Sequence, residues 1–256
     1  MNNTMAPGMK PLMREWTYLT PSEAIGRWLV WLAIVAATVW AVRSIDIIPE
    51  FLIDAPEQMA DLLVRMWPPD VAHYYPSVHV ALVETLHIAT LGTILSLFLA
   101  IPIALMAARN ICRIPVLNVT AQLILVSSRS VNSLVWALIF VAVFGPGPAA
   151  GTFAIAFRSI GFVGKLLAEA LEETAPGPLE ALTAAGAPWG STLFRWDINV
   201  RESAVLGLVG AGGIGVVLDD GINFFQWDRV ATVLLAILVV VVIAEIVVTR
   251  IRTRLI

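Results

Sequence analysis

Six stretches of apolar residues, each long enough to cross a membrane, limit what this chain can fold into. An α-helix of about 20 apolar residues spans the hydrocarbon core of a bilayer. The six stretches cover about 26–43, 77–108, 115–144, 148–172, 197–218 and 229–250. The pattern predicts an all-α, polytopic membrane protein with about six transmembrane helices.

Composition supports this assignment. Apolar residues make up 59% of the 256 residues and charged residues 14%, against roughly 45–50% and 25% in ordinary soluble domains. The second and third stretches are longer than a bilayer requires. We therefore expect them to tilt or bend, and Pro102 is a predicted bending point in the second.

The distribution of Lys and Arg predicts the orientation, because basic residues in short loops stay in the cytoplasm. In a six-helix path, three basic clusters fall on the same side: Lys10, Arg14, Arg27, Arg109, Arg113, Arg250, Arg252 and Arg254. Both termini are therefore predicted to be cytoplasmic. No cleavage site for a secretory signal is evident, so the first apolar stretch is interpreted as a retained anchor.

An acidic segment between the first two apolar stretches, about 43–76, is predicted to lie outside. Met59, Leu62, Leu63 and Met66 share one helical face, which fits a helix lying flat on the membrane. A helix packed against the other spans remains an alternative. The expected organisation is a region 1–76, with the N-terminal tail, first helix and external segment, followed by a core transmembrane region 77–256.

Several charged residues lie within the predicted spans, and Arg is the commonest. A charge at the bilayer centre costs about 2.5–3.5 kcal/mol on insertion scales, so such side chains should face the bundle interior or water. Guanidinium groups bind phosphate-like oxyanions through paired hydrogen bonds. This predicts an anion path, with Arg129 and Arg201 as the strongest candidates. The alternative is structural pairing, in which Arg195 or Arg201 binds Asp197 or Glu202.

A short helix of small residues, 179–186, contains one Glu between two spans, and such a polar helix is expected to need a partner. It resembles the Glu-Ala-Ala loop of ABC importer permeases, whose characteristic positions correspond to Glu180, Ala181 and Gly186. In that superfamily the loop docks into a cytoplasmic ATPase. The resemblance implies an ATPase-coupling loop at about 173–192.

Three segments, 129–140, 159–170 and 195–215, are similar to the phosphonate transporter permease family. The resemblance implies a type I ABC importer permease-like fold and inward movement of phosphonate, phosphate or a related oxyanion by alternating access. It implies as partners a second copy of the chain, two copies of a cytoplasmic ABC ATPase and an extracytoplasmic substrate-binding protein. ATP and Mg would bind to the ATPase; no cofactor in this chain and no nucleic-acid partner are expected.

Within these segments, the predicted substrate pathway consists of polar and basic residues. They are Arg129, Asn132, Ser133, Arg158, Ser159, Arg195, Asn199 and Arg201. The chain departs from the family pattern at three positions, where His is expected instead of Arg158, Glu instead of Asp197 and a small residue instead of Glu202. About twenty residues that the superfamily carries after the coupling loop are also missing between Gly186 and Arg195.

A glycine-rich stretch follows the third segment and is predicted to act in gating or helix packing. It contains Gly207, Gly210, Gly212, Gly213 and Gly215. The spacing matches Gly-x-Gly-x-x-Gly, but a dinucleotide site requires a preceding strand, which the pattern does not predict. Small residues four apart favour close helix packing, and the glycines also permit irregular backbone near a gate.

Other classes of function remain open from the sequence alone. His73, His79 and His87 are too few and too scattered to predict a metal site, and no catalytic set is recognisable. The alternatives are an ABC permease for another small solute, an ATP-independent anion channel or carrier, and a membrane enzyme acting on phosphorylated lipid.

Overall fold

The computed structural model describes residues 21–45, 49–173 and 186–255. The chain divides into two compact units, Met1–Met59 and Ala60–Ile256. Every described element is helical, as the apolar pattern predicts.

The first unit contains helix α1, Pro21–Ser44. The window Ala24–Ser44 is apolar enough to cross a membrane, and none of it is buried within the protein. Trp28 and Trp40 are both about three-quarters exposed. At about 1.5 Å per residue, 21 residues span roughly 30 Å, the thickness of a hydrocarbon core. Lipid therefore provides the environment that this apolar surface requires.

Helix α2, Pro49–Arg65, crosses the boundary between the units and confirms the helix predicted in the acidic segment. Met59 and Leu63 on its apolar face are exposed. Arg65 and Asp61 form an ion pair of 2.7 Å on the other face. This amphipathic pattern fits a membrane surface, and the location of α2 there stays a prediction.

Within the described residues, the second unit continues with helical turns over Val71–Val78 and seven further α-helices. These are α3 (His79–Ala107), α4 (Pro115–Ser130), α5 (Ser133–Phe144), α6 (Pro148–Glu173), α7 (Gly186–Leu206), α8 (Ile214–Asn223) and α9 (Trp227–Leu255).

Helix α6 lies at the centre of this unit and packs against α3, α4, α5 and α7. Small residues allow the close approach. A Cβ on Gly92 of α3 would lie 2.7 Å from the side chain of Ile155, and one on Gly161 would lie 2.5 Å from the backbone oxygen of Leu125. Backbones that approach this closely gain van der Waals contact, which is the main force between helices in lipid.

Two of the six predicted spans are not single helices: the third shows the bend that its length led us to expect, and the fifth is interrupted at the glycine stretch. The stretch 115–144 is broken between α4 and α5 by a bend of 98°. Val131 and Asn132 are extended there, and the Asn132 side chain accepts a hydrogen bond from the backbone N–H of Leu134. This cap starts a new helix and stabilises the break.

The stretch 197–218 is also broken, between α7 and α8, with a bend of 42°. A 3₁₀ turn over Gly207–Val209 ends α7. Gly210, Gly212 and Gly213 then take positive φ angles of 76–80°, which side chains with a Cβ adopt only with strain. The predicted irregular backbone in the glycine stretch is confirmed.

By length and composition, three described helices can cross a membrane, or up to five spans if each bent pair counts as one. Helix α6 does not meet this criterion, although it is 26 residues long. It carries Arg158, Lys165 and Glu169 along its length. Its burial among four other helices explains how a charged helix fits in the bundle.

The two ends of the bundle are distinct. At one end, the turn after α3 meets the end of α6, where the backbone N–H of Arg109 donates to Glu172 at 2.9 Å. At the other end, the backbone N–H of Gly147 donates to the carbonyl of Gly210 at 2.9 Å. Helices α6 and α7 therefore run in opposite directions between the ends, which brings their middle turns together.

Candidate functional site: a buried arginine pair between α6 and α7

The middle of α7 presents a polar stripe to the bundle. Arg195, Asn199 and Glu202 are spaced four and three residues apart, so they share one face of the helix. On α6, Arg158, Ser159 and Phe162 occupy the facing turns. Antiparallel packing of these two helices places both arginines around one carboxylate.

Glu202 binds both guanidinium groups through the same oxygen. Oε1 forms an ion pair with Nη1 of Arg158 and lies 3.8 Å from Nη2 of Arg195. The Arg195 guanidinium also lies over the ring of Phe162, 4.4 Å from the ring centre, a cation–π contact. We call Arg158, Arg195 and Glu202 the inner cluster. Its two cations and one anion give it a formal charge of +1.

Hydrogen-bonding capacity in the inner cluster is not used up. Among the described residues, Nε of Arg158, Nη2 of Arg195 and Oε2 of Glu202 are buried without a hydrogen-bond partner. The Arg195 side chain is only 6% exposed, whereas those of Arg158 and Glu202 are 21% and 16% exposed. The cluster therefore has a closed end at Arg195 and a more open end at Arg158 and Glu202.

A series of hydrogen bonds from Arg195 through the neutral side chains of Ser159, Asn199 and Thr93 fixes the closed end. Nε of Arg195 donates to Oγ of Ser159 at 3.1 Å, and Ser159 donates to Oδ1 of Asn199 at 3.0 Å. The Asn199 amide donates in turn to Oγ1 of Thr93 on α3 at 2.8 Å. Ser159 and Asn199 are completely buried. Because Ser159, Asn199 and Thr93 each have a partner in this series of hydrogen bonds, helices α3, α6 and α7 together set the orientation of Arg195.

The opposite face of α7 carries a second charged group. Nη2 of Arg201 binds Oδ2 of Asp197 at 2.7 Å and Oε2 of Glu245 on α9 at 3.3 Å. The Arg201 side chain is 46% exposed and that of Glu245 62%. We call Arg201, Asp197 and Glu245 the outer group. Its single cation has two acidic partners, which corresponds to the structural pairing that the sequence left open for Arg201.

Arg129 lies in the last turn of α4, where its backbone packs closely against Gly161 of α6. It lines a cavity of about 260 Å³ at the end of the bundle where α3 and α6 end. Arg109 and Lys165 line the same cavity, together with Glu169 and Glu172. The cavity is charged in both signs, and Lys165 already pairs with Glu169 at 3.0 Å.

Asn132 and Ser133 lie at the break between α4 and α5. Asn132 caps α5, and Oγ of Ser133 donates to Oδ1 of Asn132 at 3.3 Å. Of the eight predicted pathway residues, the structure thus brings four together around the inner cluster: Arg158, Ser159, Arg195 and Asn199. Their role in transport, and that of the other four, stays a prediction.

The glycine stretch forms a tight connection near the inner cluster. A Cβ on Gly207 would lie 2.4 Å from the backbone nitrogen of Val216, and one on Gly215 would lie 2.6 Å from the carbonyl oxygen of Ala204. The start of α8 is fixed from α3, since Glu84 accepts a hydrogen bond from the backbone N–H of Gly213 at 3.1 Å. An acidic side chain is favourable at a helix N-terminus.

The predicted coupling residues Glu180 and Ala181 lie outside the described residues. Gly186 is the first residue of α7. Across the described ranges, no group of three or more His, Cys, Asp or Glu side chains comes together to hold a metal.

Sequence reasoning missed three contributors to the site. Glu202 was noted only as a departure and a possible partner, although its position seven residues after Arg195 places both on one helical face. Phe162 lies one turn after Arg158 and could have been found in the same way. Thr93 carries no signal in the sequence, because a hydroxyl within an apolar helix commonly bonds its own backbone, as Thr93 also does to Ala89.

The fold is that of the membrane subunits of ABC importers. The described helices match a chain of an amino acid ABC transporter with a TM-score of 0.61 at 17% identity, covering 72% of this chain and 96% of the other. A chain of the methionine ABC transporter MetNI matches with a TM-score of 0.56 at 19% identity, covering 70% and 96%. Identities this low establish the shared fold alone.

Sequence comparison defines the family more narrowly. The chain is 39% identical over 207 residues to HtxC of Stutzerimonas stutzeri, named for a phosphite transport system, covering 74% of this chain and 73% of HtxC. It is 32% identical to the phosphite transport permease PtxC of the same organism, covering 86% of each chain. The phosphate-import permease PhnE of Mycolicibacterium smegmatis is 36% identical, covering 76% of this chain and 40% of PhnE. No protein-family model matches.

The chain belongs to the family of phosphite, phosphonate and phosphate ABC transport permeases. This confirms the resemblance derived from its sequence segments and the assignment as an all-α membrane permease subunit.

The alignments also bear on the missing residues. The alignment with HtxC runs over 207 positions, but 74% of the 256 residues of this chain is only about 189 residues. The alignment with PtxC runs over 238 positions, against about 220 residues for 86% of the chain. Both contain about 18 positions that this chain does not fill. The size agrees with the predicted shortening of about twenty residues, and its location after Gly186 stays a prediction.

Proposed function

We propose that this permease moves a phosphorus oxyanion, namely phosphite, a phosphonate or phosphate, into the bacterial cytoplasm by alternating access. The relatives named for phosphite and phosphate systems support the choice of substrate. The observation that carries the proposal is the inner cluster: Arg158 and Arg195 lie within the bundle with an excess of positive charge and unused donors. Oxyanions are the ligands that guanidinium groups bind best.

The driving force would come from other chains. The ABC permease family implies an ATPase, which would bind ATP and Mg, and a substrate-binding protein outside the membrane. We propose two ATPase copies and two copies of this chain, related by an isologous interface. Native mass measurement of the detergent-purified complex tests this stoichiometry, and a transport-competent assembly with one copy of this chain would contradict it.

The proposed orientation places both termini, the turn containing Arg109 and the Glu180 loop in the cytoplasm. The basic residues collected on that side support it. Nucleotide energy would then reach the inner cluster only through a shift between two packing arrangements of the helices, biased at the Glu180 loop.

The coupling role is tested by charge reversal. Glu180→Lys is expected to abolish the stimulation of ATP hydrolysis by substrate in the reconstituted complex, while insertion of the chain is retained. Glu169→Lys is the matched control, because Glu169 is half exposed near the end of α6 and pairs only with Lys165 in the described part of the chain. Equal stimulation in the parental complex and the Glu180 variant would remove this loop from the mechanism.

The transport function itself is tested by uptake. Proteoliposomes that contain this chain, its ATPase and its binding protein are expected to accumulate phosphite or phosphate only when ATP is present on the side of the membrane where the ATPase lies. Neutral Gln at Arg129 or at Arg201 is expected to slow uptake while assembly and basal ATP hydrolysis are preserved, and Lys is expected to rescue partly. Parental uptake in both Gln variants would limit these two arginines to structural roles.

A further inference from the structure

The two arginines of the inner cluster bind one carboxylate, but they can donate more hydrogen bonds than this carboxylate accepts. Glu202 reaches both arginines with a single oxygen and leaves its second oxygen without a partner among the described residues. Nε of Arg158 and Nη2 of Arg195 are buried there without a hydrogen-bond partner among the described residues. A carboxylate has two oxygens on one carbon, whereas a tetrahedral oxyanion presents three or more oxygens in different directions. The N–H groups that lack a hydrogen-bond partner can therefore donate to the additional oxygens of such an anion.

Charge leads to the same ligand. The cluster has a formal charge of +1 with Glu202 in place and +2 without it. An anion of two charges that replaced Glu202 between the arginines would neutralise both, whereas a singly charged anion would only reproduce the present state. Uncompensated charge is costly within a bundle, so the arginine pair favours a dianion.

We propose that Arg158 and Arg195 form a binding site for a doubly charged tetrahedral oxyanion, and that Glu202 is a tethered counter-ion that the substrate must displace. The proposal rests on the proposed function, in that the oxyanion is the transported substrate. It adds the location of the site, its preference for a doubly charged anion, and the Glu202 carboxylate as a competitor of the substrate. The partial exposure of Glu202 and Arg158 provides the open end at which the exchange takes place.

Displacement explains how a site with two arginines can serve transport. A tethered carboxylate competes at a high effective concentration, in the millimolar range for short flexible tethers. It therefore weakens every anion that binds to the arginine pair by the same factor. A substrate held tightly midway would not leave, so a transport site has to be weak. The arginine pair determines which anion is preferred, and Glu202 determines how weakly it is held.

The other face of α7 supplies the matched control. Asp197 is also buried and also carries one negative charge, but its partner is Arg201 and it contacts neither arginine of the inner cluster. If Glu202 acts as a displaced competitor, its removal has a specific effect. If it acts only by adding negative charge to α7, removal of the Asp197 charge has the same effect.

The experiment measures binding of inorganic phosphite and of hypophosphite to the full chain in nanodiscs at pH 8, where phosphite carries two charges and hypophosphite one. Glu202→Gln is expected to tighten phosphite binding at least tenfold and to make hypophosphite binding measurable, with phosphite still preferred. Asp197→Asn is expected to change phosphite binding less than threefold. Unchanged or weaker phosphite binding in the Glu202 variant, or equal tightening in both variants, would overturn the proposal.

A second variant covers the case in which Glu202→Gln does not fold. Arg158→Gln combined with Glu202→Gln removes both members of the ion pair and leaves no orphaned charge between them. With Arg195 alone, the preference for phosphite over hypophosphite is expected to disappear, and a double variant that keeps the parental preference would contradict the dianion site. ATP-driven phosphite uptake by the parental complex, measured in parallel, separates the two proposals: uptake that persists while the binding predictions fail leaves the proposed function intact.

Discussion

The two charged faces of α7 have the same kinds of residue but opposite properties. The inner cluster has two arginines for one carboxylate, and buried donors remain unpaired. The outer group has one arginine for two carboxylates, and its Arg201 and Glu245 side chains are about half exposed or more. Both faces belong to the same helix. Burial and the ratio of positive to negative groups therefore indicate anion binding better than the presence of arginine does.

The largest expected difference between the two faces is in stability. Glu202→Ala leaves the buried Arg195 and the partly buried Arg158 without their counter-ion, and removal of one partner from a buried ion pair costs about 3–5 kcal/mol. Glu245→Ala removes a carboxylate that is 62% exposed, and an exposed pair contributes under about 1 kcal/mol. Reversible unfolding in mixed detergent micelles, followed by tryptophan fluorescence, measures both. Equal losses would mean that the inner cluster is as well solvated as the outer group.

A smaller loss of stability is expected from Gly207→Ala, which alters no charge on either face of α7. Gly207→Ala places a Cβ against the backbone of Val216 and Gly215, and overpacking costs about 1–3 kcal/mol. Gly26→Ala in α1 is the control, because a Cβ there meets nothing within 4 Å. The same unfolding measurement applies. A tolerated Ala at Gly207 would show that the end of α7 is not fixed by its contact with α8.

The smallest effect is expected in a coupling energy, which tests the hydrogen bonds that support the inner cluster but not the outer group. Asn199→Ala removes partners from Ser159 and Thr93 and is expected to cost about 1–3 kcal/mol, the penalty of unsatisfied buried groups. Thr93→Ala combined with Asn199→Ala tests the contact directly, with a coupling energy of about 0.5–1 kcal/mol expected. Strictly additive losses would show that Thr93 does not help to position Asn199.

Much of the fold follows from apolar pattern and composition, because a membrane-spanning chain must satisfy its own backbone and does so with helices. A bend in the third span was expected from its length, but its position was not. Asn132 lies in a polar run, 127–133, and it is recognisable as a helix cap only once the chain is known to turn there. The glycine stretch did indicate irregular backbone, but not where α7 ends.

The sequence by itself determined the helical class, the membrane location and the family, since these depend on the lengths of apolar runs and on local segments. It also supplied the arginines and ranked Arg129 and Arg201 first, which stays a prediction; it did not show that Arg158 and Arg195 share one carboxylate. Only the tertiary structure decided this, because the antiparallel packing of α6 and α7 brings residues almost 40 positions apart around one carboxylate. The charge balance of a site is a property of that packing, and spacing along the chain does not contain it.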